Sequence, residues 1–293
     1  MGTMPKDATT HTRAANAPRS FEFDPGDFDR AERGLLTTIE GGRIEGPFGP
    51  VYDISRYDFI ERGSDNPDTV NPSLWRQSTL NRTNGLFKVA DGFYQVRAFD
   101  MSNMTIIEGA TGLIVIDPLI SCECANDALR LYREYVQKPN IQVKAVIYTH
   151  SHVDHFGGVC GIVDPVDVRE KRVRIAAPAG FLEHAVSENV YAGTAMGRRA
   201  EYMYGPYLRP GDRGQVDAGL GKSQSVGRIS IIPPTDEVSY TGQILELDGV
   251  KIIFHMTPGA EAPAEFDFYF PDHRVFCAAE NATHTMHNIQ TDR

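Results

Sequence analysis

The chain has 293 residues, 41% of them apolar, which is enough to bury a sizeable core in about one or two domains. A formal net charge of -10 excludes a broad basic footprint, so no general grip on nucleic acid or anionic lipid is expected. Cys122, Cys124, Cys160 and Cys277 are too sparse for a disulfide-stapled module, and the Cys122/Cys124 pair lacks the second pair that a zinc knuckle needs.

Residues 1–30 are polar and show neither helical nor strand periodicity, so they read as a mobile arm containing His11. They hold no apolar run of signal-peptide length, and no later stretch reaches the ~20 apolar residues of a membrane span. A soluble chain is expected, with its cellular address left open. Residues 31–90, punctuated by Gly41-Gly42, Gly46-Pro47, Asn66-Pro67 and Asn71-Pro72, read as an irregular N-terminal extension.

Regular structure is expected from residue 91 onward, in a domain running to residue 293. Phe93–Phe99, Met104–Glu108 and the apolar run Leu113–Ile116 read as strands joined by tight turns. Glu123–Gln137 places Ala125, Ala128, Leu129 and Tyr132 on one helical face, and Val143–Tyr148 is a further strand. Arg174–Ala177 reads as a strand and Phe181–Glu188 as a surface helix carrying His184. Residues 191–222 form a long insert, and Ile244–Leu247, Lys251–Met256 and Phe266–Phe270 return to strand patterning, with His255 and His273 at strand ends.

The chemistry concentrates directly after Val143–Tyr148, where an α/β sheet presents its functional groups. His150, His152, Asp154 and His155 lie within six positions and are followed by Gly157-Gly158. Alternation along an extended segment would point His150 and His152 at one ion, with Asp154 and His155 turned toward a second. Imidazole and carboxylate are the donors that a borderline cation such as zinc prefers.

The pattern His150-x-His152-x-Asp154-His155 resembles the signature of the metallo-β-lactamase superfamily, which implies an αββα sandwich and a hydrolytic dimetal centre. The resemblance implies that Asp117, ending the run Leu113–Ile116, orients the ligand loop. It also implies a third ligand in the Thr257-Pro258-Gly259 context and a bridging acid further on. This sequence offers Glu261 and Glu280 there, where histidine and aspartate are usual. That departure is similar to the zinc-type alkylsulfatases, and Val70–Arg76, Tyr94–Arg97, Tyr191–Gly193 with Arg198-Arg199, and Glu280–Asn288 resemble the same branch.

The branch implies two zinc ions, an alkyl sulfate substrate and attack by water activated on the metal, with no protein nucleophile. It also implies a homodimer for the full-length protein, a periplasmic or secreted address, and Arg293 as a sulfate contact, with Arg198 and Arg199 as further candidates. His284 and His287, three apart, are expected behind the metal ligands, as substrate contacts, as substitute ligands, or as ordinary structural histidines. The family continues past this point, so the sandwich is expected to be incomplete at its C-terminus and the second ion to be weakly held or absent. Two alternatives stay open: a thioester or β-lactam hydrolase on the same centre, and an inactive metal-binding fragment. A formylglycine sulfatase is disfavoured, since no cysteine lies in a Cys-x-Pro-x-Arg context.

Overall fold

The computed structural model describes residues 5–17 and 23–283. Two short helices, α1 (Thr10–Ala15) and α2 (Gly26–Glu32), open it. Nothing in α1 is buried, and Arg13 ties it to Asp68 at 3.0 Å.

The stretch expected to be irregular is largely ordered. It contains β1 (Leu35–Thr37), a hairpin of β2 (Arg43–Gly46) and β3 (Gly49–Asp53), α3 (Pro72–Leu80) and β4 (Gly85–Ala90). Asn71-Pro72, read as punctuation, is the start of a helix: the Asn71 side chain accepts from Ser73 N at 3.0 Å, and Pro72 takes the first turn, where its missing N–H costs nothing. In β4 the consecutive residues Gly85, Leu86 and Phe87 are all buried, so the strand has no period of two to announce it.

The sheet therefore begins before residue 91. It continues through β5 (Phe93–Arg97), β6 (Met104–Glu108), β7 (Leu113–Ile116), β8 (Val143–Ile147), β9 (Arg174–Pro178) and β10 (Asp236–Val238), interrupted by helices α4 (Cys122–Tyr135), α5 (Pro165–Arg169), α6 (Phe181–Val186) and α7 (Gly193–Tyr204). A second sheet holds β11 (Ile244–Leu247), β12 (Val250–Met256), β13 (Phe266–Phe270) and β14 (Val275–Cys277). Spatial order in the large sheet is β1-β4-β5-β6-β7-β8-β9-β10, antiparallel as far as β7 and parallel from there on. The small sheet is antiparallel in chain order.

Burial on both faces of β7 explains its unbroken apolar run. Leu113 and Val115 pack with Ala125, Leu129 and Tyr132 of α4, while Ile114 and Ile116 meet Ile252, Phe254, Phe266 and Phe268 across the sandwich. Helix α4 starts where the Ser121 hydroxyl accepts from Cys124 N. The far face of the small sheet is partly open among the described residues: Ile244, Ile253, Tyr269 and Phe276 form one cross-strand row, and Ile244 and Phe276 are more than half exposed. The described layers are thus α, β, β.

The insert is not featureless, since it carries α7. Its return is pinned by Lys222, which is fully buried, donates to Ser78 O and Oγ at 2.5 and 2.6 Å, and pairs with Asp217 at 3.1 Å. Burial lowers the Lys222 pKa to about 8, with Asp217 holding it up.

Candidate metal centre

Strands β7 and β8 are parallel neighbours, so the residues just past their ends lie side by side. At the first end the backbone turns sharply, with Asp117 and Leu119 left-handed at φ 54° and 59°. Such a conformation costs a non-glycine residue roughly 1 kcal/mol or more, and surrounding bonds must hold it. Asp117 Oδ1 accepts from Thr149 N at 2.9 Å, and Oδ2 accepts from the Thr149 hydroxyl and from His155 Nδ1, both at 2.7 Å.

These bonds fix two imidazoles. His155 gives its Nδ1 proton to a carboxylate, which leaves Nε2 with a lone pair. The Thr149 hydroxyl spends its hydrogen on Asp117, so at 2.9 Å it accepts from His150 Nδ1, and His150 Nε2 is likewise a lone-pair donor. Both nitrogens face Glu280 Oε2, at 3.6 Å from His150 and 3.7 Å from His155.

The second sheet delivers the carboxylates. Phe266 N donates to Thr149 O at 3.2 Å, docking the start of β13 on the histidine loop, and Glu265 bridges to His150. Glu265 Oε2 accepts from the backbone N–H groups of Glu261 and Ala262 at 2.6 and 3.0 Å, shaping the loop that holds Glu261 Oε1 3.7 Å from His152 Nδ1. Glu280 follows Ala279, left-handed at φ 45°, and precedes Asn281, whose amide donates to Asp267 at 3.0 Å.

Two donor sets result, His150/His155/Glu280 and His152/Glu261/Glu280, each with its ligand atoms within 4.8 Å of one another. Atoms bound about 2.0–2.1 Å from a tetrahedral ion lie roughly 3.3–3.4 Å apart, so these separations suit a zinc-type cation with little adjustment. Imidazole nitrogen and carboxylate oxygen are also the right chemistry, and Glu280 belongs to both sets as a bridging acid would. The residues present fit a pair of divalent ions.

Electrostatics point the same way. Burial disfavours a charged His155, yet Asp154, Asp117 and Glu280 together hold its pKa well above the ordinary value. Burial likewise opposes an ionised Asp154, but neighbouring His155 keeps its pKa below the usual carboxylate value. Crowded carboxylates here demand positive charge, from protons or from metal.

The His150 ring lies between the other two, 4.6 Å from His152 and 4.0 Å from His155 by ring centres, and residues Val153–His155 form a tight 3-10 turn that brings His155 back beside it. Asp154 belongs to neither set, although its Oδ2 lies 3.3 Å from His155 Nε2. Sequence reasoning also missed Glu188, in the turn after α6 and 3.9 Å from His152 Nε2, and Ser102, whose hydroxyl donates to Asp154 O. Neither carries a local signal. His284, His287 and Arg293 lie outside the described residues.

Two cavities reach the centre. One, of about 250 Å3, is lined by Met101, Met196, Met203 and Leu220 and opens on His152, Asp154, Glu261 and Glu280. Arg199 stands at its wall, whereas Arg198, one position round the exposed helix α7, does not line it. A larger cavity of about 570 Å3 reaches Asp117, His155 and Glu280 from the other side.

An aspartate-steered histidine loop at parallel strand ends, closed by two glutamates from a second sheet, defines an α/β sandwich built to hold two metal ions. The sequence profile of the metallo-β-lactamase superfamily matches residues 97–264, more than half of the chain, and the protein belongs to that superfamily, in its alkylsulfatase branch. It is 52% identical over 98% of its length to a linear primary-alkylsulfatase of a Pseudomonas species, covering 43% of that protein. An alkyl/aryl-sulfatase of Saccharomyces cerevisiae is 47% identical over 97% of this chain and 44% of its own. Among solved structures, a stereoselective inverting sec-alkylsulfatase from Pseudomonas sp. matches with a TM-score of 0.88 and 42% identity, over 93% of this chain and 43% of that one. The chain thus spans less than half the length of these relatives.

Proposed function

We propose that the protein hydrolyses alkyl sulfate esters to an alcohol and sulfate in a metal-dependent reaction. One observation carries this reading: Glu261, standing where the superfamily resemblance expects histidine, converges with His152 and Glu280 into a ligand set. Relatives that share the branch are named for primary and secondary alkyl sulfates, and both classes are within the proposal.

Divalent ions bound here would supply a water acidified toward neutral pH and positive charge against the ester oxygens. The chain's own groups do the rest. Asp117 and Thr149 hold the ring protons of His150 and His155 on Nδ1, so that with cations bound their Nε2 atoms would be unprotonated and aimed at the centre. Met101, Met196, Met203 and Leu220 give the alkyl chain an apolar, adaptable seat beside the reacting bond and exclude water from it. Arg199, at the wall of that pocket, is a candidate for the sulfate charge, as is Arg293 by resemblance. For the longer protein, a homodimer and a periplasmic or secreted address are proposals resting on the same resemblance; among the described residues no helix is long and apolar enough to cross a membrane.

The test is a side-by-side assay of the zinc-loaded protein with dodecyl sulfate, a secondary alkyl sulfate, a thioester and nitrocefin. Sulfate release from an alkyl sulfate is expected. Thioester or nitrocefin turnover without sulfate release would replace the proposal with the other hydrolase reading, and bound metal with no turnover at all would leave a metal-binding fragment.

A further inference from the structure

Arg97 closes β5 and lines the larger cavity. Its Nε donates to Gln95 Oε1 at 2.7 Å, and its guanidinium carbon sits 4.3 Å from the centre of the Phe87 ring. No carboxylate pairs with it among the described residues, in contrast to the other arginines of the same cavity. Arg30 is bound by Asp27 at 2.7 Å and also by Asp24, and Arg76 is bound by Asp27. Burial lowers the Arg97 pKa, and among the described residues no acid offsets it. A half-buried guanidinium with most of its donor fork unused, in a chain of net charge -10, is chemically matched to an anion that the protein does not itself supply.

The cavity's position says which anion. Its wall includes Asp117, His155 and Glu280, so it backs directly onto the metal centre, while the methionine pocket approaches from the side of His152 and Glu261. Met101 and Leu220 line both cavities and form a partition between them, with Glu280 common to the two. An alkyl sulfate is apolar at one end and a tetrahedral oxyanion at the other; the methionines line one side of this partition, with the exposed Arg199 at its wall, and the half-buried Arg97 lines the other.

We propose that Arg97 is a sulfate seat on the far side of the metal centre from the alkyl pocket, so that the two products separate to opposite sides of the Met101–Leu220 partition. The assignment of sulfate rests on the hydrolase reading above. Water adds to the ester, the alcohol keeps the alkyl chain, one proton is released, and the sulfate dianion is what Arg97 receives. The balance is the same whether the S–O or the C–O bond breaks.

Equilibrium dialysis of radiolabelled inorganic sulfate against the zinc-loaded protein tests this without turnover, using the parent, R97Q and R97K at constant ionic strength. Zinc content and thermal melting are followed in parallel. The parent is expected to bind sulfate, R97Q to bind at least about tenfold more weakly at unchanged zinc content, and R97K, which keeps charge and stem but loses the fork, to fall between them. R97K also serves if R97Q folds poorly, because its stem still covers Phe87. Sulfate affinity equal in all three, or no sulfate binding by the parent, would overturn the seat. Sulfate bound through Arg97 by a protein that cleaves no alkyl sulfate would defeat the hydrolase reading and leave the seat standing. Alkyl sulfate turnover with sulfate affinity indifferent to Arg97 would do the reverse.

Discussion

Replacing Asp117 with asparagine perturbs the metal centre at the bonds that set its tautomers. The carboxylate accepts from Thr149 N, from the Thr149 hydroxyl and from His155 Nδ1. Asparagine is the same size but keeps one acceptor, and if its oxygen stays with Thr149 N, its amide nitrogen faces two groups that were donors. Both must become acceptors. His155 then carries its proton on Nε2, while the Thr149 hydroxyl turns to donate to His150 Nδ1 and moves the His150 proton to Nε2 as well. Both imidazole donors of the His150/His155/Glu280 set are lost in one change. Removing an outer hydrogen bond to a single ligand usually costs about 10- to 100-fold in metal affinity, so with two ligands affected about 100-fold is expected, or ~2.7 kcal/mol. The metal-free fold should lose only about 1–2 kcal/mol, since the site stays filled and its donors find new acceptors. Chelator competition at fixed pH measures the affinity, and nitrogen NMR of labelled histidines reads the tautomers. Zinc affinity within about threefold of the parent, or Nε2 atoms still unprotonated in the variant, would refute the reasoning.

Glu280→Gln removes the carboxylate common to both donor sets, so bound zinc is expected to fall to at most one ion per chain by elemental mass spectrometry after dialysis; retention of two would show that Glu280 is not shared. Gly197→Leu adds a side chain where the pocket is open, with nothing within 4 Å of its Cβ. It favours helix α7 by up to about 1 kcal/mol while filling the alkyl seat, so KM for dodecyl sulfate should rise about tenfold, the equivalent of one or two methylenes, with short-chain esters little changed. The same KM for every chain length would place the alkyl group elsewhere. Asp100, 1% exposed, has its pKa pushed up to about 6 by burial, against hydrogen bonds from Ser225 and Met101. Because the folded value lies above the unfolded one of 3.8, its stabilising contribution is complete below that pH and lost as pH rises through about 6, a change of up to about 3 kcal/mol by pH 8. Asp100→Asn does not titrate there, so its penalty in urea denaturation should shrink by up to that amount between pH 4 and pH 8; a penalty independent of pH would contradict the raised pKa.

How far each of these groups could be foreseen depends on how locally it is encoded. His150 to His155 stand within one loop, and Asp117 ends the strand next to it, so spacing and resemblance reach them. The 3-10 turn at Val153–His155 was not legible, because alternation along a strand end does not announce it, and the loop after it is held by distant partners: Gly158 N donates to Leu119 O and Ser230 N to Gly157 O. β4 escaped for another reason: Gly85, Leu86 and Phe87 are buried in a row and Lys88 and Val89 are exposed in a row, so no period of two marks it.

Arg97 shows the limit most clearly. Along the sequence it ends an alternating strand in a segment, Tyr94–Arg97, that resembles the branch, and neither the strand nor the resemblance gives it a role. Only the packing of α2, α3 and the Cys277–Thr283 segment around it makes a cavity, and the pairing of Arg30 and Arg76 with Asp24 and Asp27 leaves Arg97, among the described residues there, as the cation without an acid. Its significance is a difference between neighbours that meet through three separate contacts, and no periodicity or motif encodes a difference of that kind. The metal ligands are specified by identity and spacing, whereas the groups that sort substrate from product around them are specified by what the rest of the fold has already neutralised. Charge-pairing arithmetic inside each cavity, rather than motif density, is therefore the observation that extends a site beyond its metal.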